Sequence, residues 1–180
     1  MRRIAFRIVL ACILSLAVRG IADAAEPAAE IHRIGPVAVL GDGPGTVLAG
    51  VGIYHLKGTR GKSTGMGWME ARIGRKWGFL GPVFGVLANA DGGVYGYGGI
   101  YSDFRVDPFV ATAVLAAGRY RQGNSLDLGG PFQFREEFSI CYPFHDQRRI
   151  GVQFSHISNA GIYDANPGEN DLLIVYGILF

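Results

Sequence analysis

From Thr46 to the C-terminus the chain falls into short runs of β-forming and glycine residues separated by turn signals. No segment there carries a long amphipathic helical period. The runs cover residues 46–56, 63–73, 80–89, 94–104, 109–118, 131–141, 150–158 and 170–180. Each is close to the roughly ten residues that a tilted membrane-crossing strand needs, and eight is the smallest even count for an outer-membrane barrel. A soluble β-sandwich satisfies the same spacing. The last run, "NDLLIVYGILF", decides between them. Leu172, Ile174, Tyr176, Ile178 and Phe180 alternate onto one face, all apolar and ending in an aromatic. That face suits lipid with an interfacial ring at its rim, so the expected fold is an all-β, eight-stranded antiparallel transmembrane barrel.

The opposite faces are polar. Glu70 and Arg72 share one face of their run, and Gln133, Arg135, Glu137 and Ser139 share another. In a narrow barrel such side chains fill the interior and pair with each other. Glu136 falls on the lipid face, where this pattern gives it no partner.

The N-terminus reads as an export signal. Arg2, Arg3 and Arg7 precede the apolar "IVLACILSLAV", and "ADA" supplies a small-x-small cleavage site after Ala24. The apolar stretch is shorter than the roughly 20 residues of a spanning helix. Residues 1–24 are therefore expected to be a signal peptide and 25–180 one barrel domain. That peptide carries Arg2, Arg3, Arg7 and Arg19 against Asp23, so the formal charge of +2 becomes −1 for the mature chain. No basic excess remains to suggest nucleic acid. Only Cys141 survives cleavage, which rules out an internal disulfide. His32 and His55 have no partners at metal-ligand spacing, and no cofactor or metal is expected. "RGKST" (Arg60 to Thr64) lacks the first glycine of a phosphate loop. Arg60, Lys62, Arg119 and Arg121 read as outer-loop charges, and His145 and Asp146 as part of a turn at the opposite end.

One stretch carries chemistry. In "GVQFSHIS" alternation puts Val152, Phe154, His156 and Ser158 on the lipid side and Gln153, Ser155 and Ile157 inside. Polar groups on a lipid-facing strand are costly unless they pair or act. With both termini and the short turns in the periplasm, this run leads outward and ends at Ser158, at the depth of the outer leaflet. The acyl esters of lipopolysaccharide lie there. A serine becomes a nucleophile when a histidine takes its proton and a third group orients the histidine. Asn159 follows as a side-chain donor for an oxyanion, with the backbone N–H groups of "NAG" beside it.

"HISNAG" (His156 to Gly161), "NPGEN" (Asn166 to Asn170), "FQFRE" (Phe132 to Glu136) and the final strand ending in Phe180 together resemble the lipid A 3-O-deacylase family. The resemblance is specific over the last fifty or so residues and architectural before them. It implies an eight-stranded outer-membrane barrel bearing a serine–histidine–glutamate triad on its outer wall. Such an enzyme hydrolyses the 3-O-linked hydroxyacyl ester of lipid A and releases a 3-hydroxy fatty acid without a metal. By that resemblance Ser158 is the nucleophile, His156 the base and Asn159 the oxyanion residue. The family's glutamate position, fourteen after the histidine, holds Asn170, and Glu169 stands one residue short. Glu169 is the expected third member, since a carboxylate stabilises an imidazolium, with Asn170 as the alternative. The expected partner is lipid A in the outer leaflet, and a second copy of the chain stays open. Two other readings remain: a non-enzymatic structural or adhesive barrel, and a lapsed deacylase.

Overall fold

The computed structural model describes residues 28–56, 62–145 and 147–180. The expected signal peptide (1–24), Arg60 and Asp146 lie outside the described residues. Among the described residues ten strands follow in order: β1 Glu30–Ile34, β2 Val37–Leu40, β3 Thr46–Tyr54, β4 Thr64–Arg72, β5 Gly81–Asn89, β6 Val94–Val106, β7 Phe109–Arg121, β8 Phe132–Pro143, β9 Arg148–Ser158 and β10 Glu169–Leu179. From β3 onward each strand pairs antiparallel with the next, and β10 returns to β3 from Asp171↔Tyr54 to Leu179↔Thr46. The eight expected runs thus close into the expected barrel, and closure removes the free edges that an open sheet would expose. The ends of β3, β5, β7 and β9 and the starts of β4, β6, β8 and β10 gather at one end, with the loops 90–93, 122–131 and 159–168. The connections 73–80 and 107–108 share the other end with the two barrel termini.

Several strands run further than their apolar pattern. β7 continues through Arg119 and Arg121, so these arginines sit on the outer face of a strand at the loop end, not in a loop. At the other end β6 and β7 are joined by Asp107–Pro108 alone, with Val106 paired to Phe109. The β1–β2 hairpin has no counterpart in the sequence reading. Beyond Tyr101, where β5 stops, the edge of β6 is free, and β2 takes it with Ala38↔Arg105, Val39↔Phe104 and Leu40↔Asp103.

Alternation sorts the two surfaces. Along β8 the even-numbered positions from Phe132 to Ile140 are exposed, and Gln133, Arg135, Glu137, Ser139 and Cys141 are buried. The outer wall carries an exposed apolar belt including Val51, Phe84, Leu115, Phe138, Val152, Ile174 and Tyr176, far more contiguous apolar surface than a water-facing wall tolerates. Phe180 closes the belt. Its backbone exchanges two 2.9 Å hydrogen bonds with Gly45, and its ring covers that glycine so closely that an added Cβ would lie 2.5 Å from it.

Inside, the charges pair as the sequence suggested. Arg72 donates to Glu70 (2.7 Å), Thr112 (2.9 Å) and Glu137 (3.0 Å). Arg135 donates to Glu137 (3.0 Å) and Asp171 (2.9 Å) and lies over the Tyr97 ring. Tyr97 accepts from the Trp68 indole and donates to Glu70. Five of the eight barrel strands are tied through this polar core, in a lumen where an unpaired charge would be expensive. Tyr54, Leu87, Tyr95, Tyr120 and Leu128 fill the interior toward the loop end. The result is a solid post, and the surface it leaves open to a membrane-embedded molecule is its patterned outer wall.

Candidate active site

β9 delivers His156 and Ser158 to the outer wall. Its inward positions Gln153, Ser155 and Ile157 are at most 1% exposed, while Val152 and Phe154 are open and His156 and Ser158 are half-buried. The pair therefore shares the outer face near the loop end, as alternation required. β9 ends at Ser158, so the serine stands where the strand gives way to the loop.

β10 supplies the histidine's partner. Asn170 is the register partner of His156, and His156 Nδ1 lies 2.9 Å from Asn170 Oδ1. A carboxamide oxygen only accepts, so the proton of that bond sits on Nδ1 and, in the neutral ring, the lone pair is on Nε2. The ring's free side leans toward Gly168: a Cβ added there would lie 3.0 Å from His156 Cε1 and 3.4 Å from Nε2. Glu169 pairs with Ile157, so Gly168 is level with Ser158. The Cε1–Nε2 edge of the ring thus faces Gly168, the residue level with the serine.

Glu169 is not part of this arrangement, contrary to the expectation. It is 2% exposed on the inner face, where its Oε2 accepts the His55 backbone N–H at 3.0 Å. The reason is the unbroken β9–β10 register from Glu169↔Ile157 to Ile178↔Arg148. Without a bulge, parity sends Glu169 inward with Asp171 and Leu173, and Asn170 outward with Leu172 and Ile174.

Asn159 also departs from its expected role. It is fully buried; its Nδ2 donates to Leu128 O and Ala165 O at 2.8 Å each, and its Oδ1 accepts the Gly161 N–H at 2.9 Å. One amide proton ties loop 159–168 to loop 122–131 and the other closes loop 159–168 on itself, which leaves none for an oxyanion. Ala160 follows in the left-handed region (φ 53°), and its backbone N–H has no hydrogen-bond partner among the described residues. The Asn159 and Gly161 backbone N–H groups are taken by Asn166 Oδ1 and Asn159 Oδ1, so of the donors that "NAG" offered the Ala160 N–H is the one left open.

On the other flank of β9, the register sets Glu136 of β8 directly opposite His156 and Phe134 opposite Ser158. Sequence reasoning placed Glu136 on this wall but gave it no neighbour, because cross-strand register is not written in either strand. A cavity of about 330 Å³ lined by Tyr54, His55, Lys62, Asp91, Asn124, Ser125 and Leu126 lies within the loop end. Neither His156 nor Ser158 lines it. An oriented imidazole, a hydroxyl two residues further along the same outer face and an open apolar wall make a surface suited to cutting an ester of a membrane-embedded molecule.

The family model for lipid A 3-O-deacylase (PagL) matches residues 55–178, more than half of the chain. The chain belongs to this family. A curated relative, the lipid A deacylase PagL of Bordetella bronchiseptica, is 36% identical over 53 residues, a match spanning 29% of this chain and 30% of that protein. The crystal structure of the outer membrane enzyme PagL superposes with a TM-score of 0.53 at 20% identity, covering 74% of this chain and 98% of that one. That likeness shows the barrel fold.

Gly168 is a feature of the site that the sequence reading passed over. Its φ of +61° excludes a comfortable side chain, and a methyl there would press on the His156 ring at 3.0 Å from Cε1. Gly168→Ala is expected to slow ester hydrolysis by up to about 10²-fold through displacement of the ring. Initial rates on a lipid ester, with the barrel's heat-modifiable gel migration unchanged, check this.

Proposed function

We propose that the chain is an outer-membrane esterase that hydrolyses the 3-O-linked hydroxyacyl chain of lipid A and releases a 3-hydroxy fatty acid. The single observation that carries the reading is the His156–Asn170 hydrogen bond on the outer wall, which holds the base in the tautomer a serine needs. The loop end is the extracellular end, so the site stands in the outer leaflet beside the acyl esters of lipopolysaccharide.

In this mechanism His156 Nε2 removes the proton of Ser158 Oγ as the oxygen attacks the ester carbonyl. The carbonyl oxygen, now negative, takes the Ala160 N–H. As the tetrahedral intermediate collapses, the sugar oxygen leaves with the proton from His156, and the acyl chain stays on Ser158. Water, deprotonated by His156, then attacks the acyl-serine; the acid departs and Ser158 recovers its proton. Asn170 keeps Nδ1–H engaged throughout, a neutral orienter of the kind found beside the histidine of papain-like proteases.

That neutral partner is also what favours the second reading, a lapsed deacylase, because a carboxamide offers the imidazolium no charge. The two readings separate in detergent micelles of purified protein and lipid A. Free 3-hydroxy fatty acid released by the wild type and not by Ser158→Ala supports the esterase. Equal release by both, or none by either, counts against it.

A further inference from the structure

We infer that Glu136 is the carboxylate that stabilises the His156 imidazolium, supplying from β8 the negative charge that Asn170 does not. The inference rests on the esterase reading above and adds a positioning residue to it. Glu136 faces outward with Phe134 and Phe138 on either side along β8, in a wall that is otherwise apolar on that strand from Phe132 to Tyr142. A carboxylate in that belt is disfavoured unless it pairs or acts. Among the described residues it has no hydrogen bond or ion pair that would account for it.

The register names its neighbour. Glu136 is opposite His156 in the β8–β9 ladder, and directly opposite residues of an antiparallel pair have Cβ atoms roughly 5 Å apart. On the other side of Glu136 the facing residue is Leu115 of β7, which offers no charge. The outer-face surroundings of His156 are Phe154 and Ser158 on β9, Asn170 and Leu172 on β10, and Phe134, Glu136 and Phe138 on β8. Glu136 is the only ionisable group of that set apart from the histidine. Asn170 already holds Nδ1, so Glu136 acts on the ring by its charge from the opposite flank and not through that hydrogen bond. In an apolar, lipid-covered wall such a charge is screened far less than in water. One family carboxylate that both orients and stabilises is thus divided here between Asn170, which orients, and Glu136, which stabilises.

The test compares wild type, Glu136→Gln, Asn170→Glu and the double variant in lipid A micelles, each confirmed folded by heat-modifiable migration. Glu136→Gln is expected to lower kcat by about 10²-fold with KM within about twofold, the signature of an interaction made in the transition state. Asn170→Glu places a carboxylate on the other flank, so it should restore kcat in the Glu136→Gln background while adding little to wild type. Unchanged kcat in Glu136→Gln, a change confined to KM, or no rescue by Asn170→Glu overturns the inference while leaving the esterase reading standing. A wild type that hydrolyses nothing overturns both.

Discussion

His156→Ala is expected to lower ester hydrolysis by about 10²- to 10⁴-fold, the usual worth of a positioned general base. The barrel should stay folded, because the ring lies on the outer wall and takes part in none of the interior ion pairs. The loss should appear in kcat, since the histidine works on a proton that moves only during reaction. Substrate binding to the apolar belt should persist. Release of 3-hydroxy fatty acid from lipid A micelles, followed at several substrate concentrations, measures both. A variant that keeps more than a tenth of wild-type kcat would show that Ser158 is not activated by this histidine.

Arg135→Met is the opposite kind of change, a large loss of stability from a residue with no access to substrate. Arg135 is completely buried and bridges Glu137 and Asp171 across the lumen. Methionine fills much of the same space but leaves Asp171 without that cation, beside Glu169 on the same inner face of β10. Breaking one partner out of a buried ion pair costs about 3–5 kcal/mol. Urea unfolding in lipid vesicles should show that loss, against a change within about 0.5 kcal/mol for Ser158→Ala on the outer wall. Adding Asp171→Asn to Arg135→Met should recover part of it by removing the stranded charge. An Arg135→Met barrel as stable as wild type would mean that the interior network contributes specificity and no net stability.

The barrel was legible because a wall between lipid and a filled lumen imposes a period of two on every strand. "FQFREEFSIC" needs no partner in view to show which residues go inside. The same rule put His156 and Ser158 outside, and parity alone already sent Glu169 inward; preferring its carboxylate required a bulge or a strand that starts after it, and β10 begins at Glu169 in unbroken register. What stayed hidden depends on contacts between distant segments. Asn159 has the same amide whether it binds an oxyanion or braces two loops, and the choice rests on Leu128 and Ala165. Glu136 has no meaning until β8 and β9 are set in register. The β1–β2 hairpin escaped because all of β1, from Glu30 to Ile34, is exposed, so no buried face left an alternation to read. Arg119 and Arg121 lie at the loop end of β7, where a polar strand reads as loop.

If Ser158 cuts an ester of lipid A in the outer leaflet, mass spectrometry of lipid A from cells carrying this protein in their outer membrane will register the loss. One 3-O-linked hydroxyacyl chain should be missing with the wild type and lipid A should be intact with Ser158→Ala, both proteins being folded in the membrane. Intact lipid A with both, or the same shortened lipid A with both, would contradict that role of Ser158.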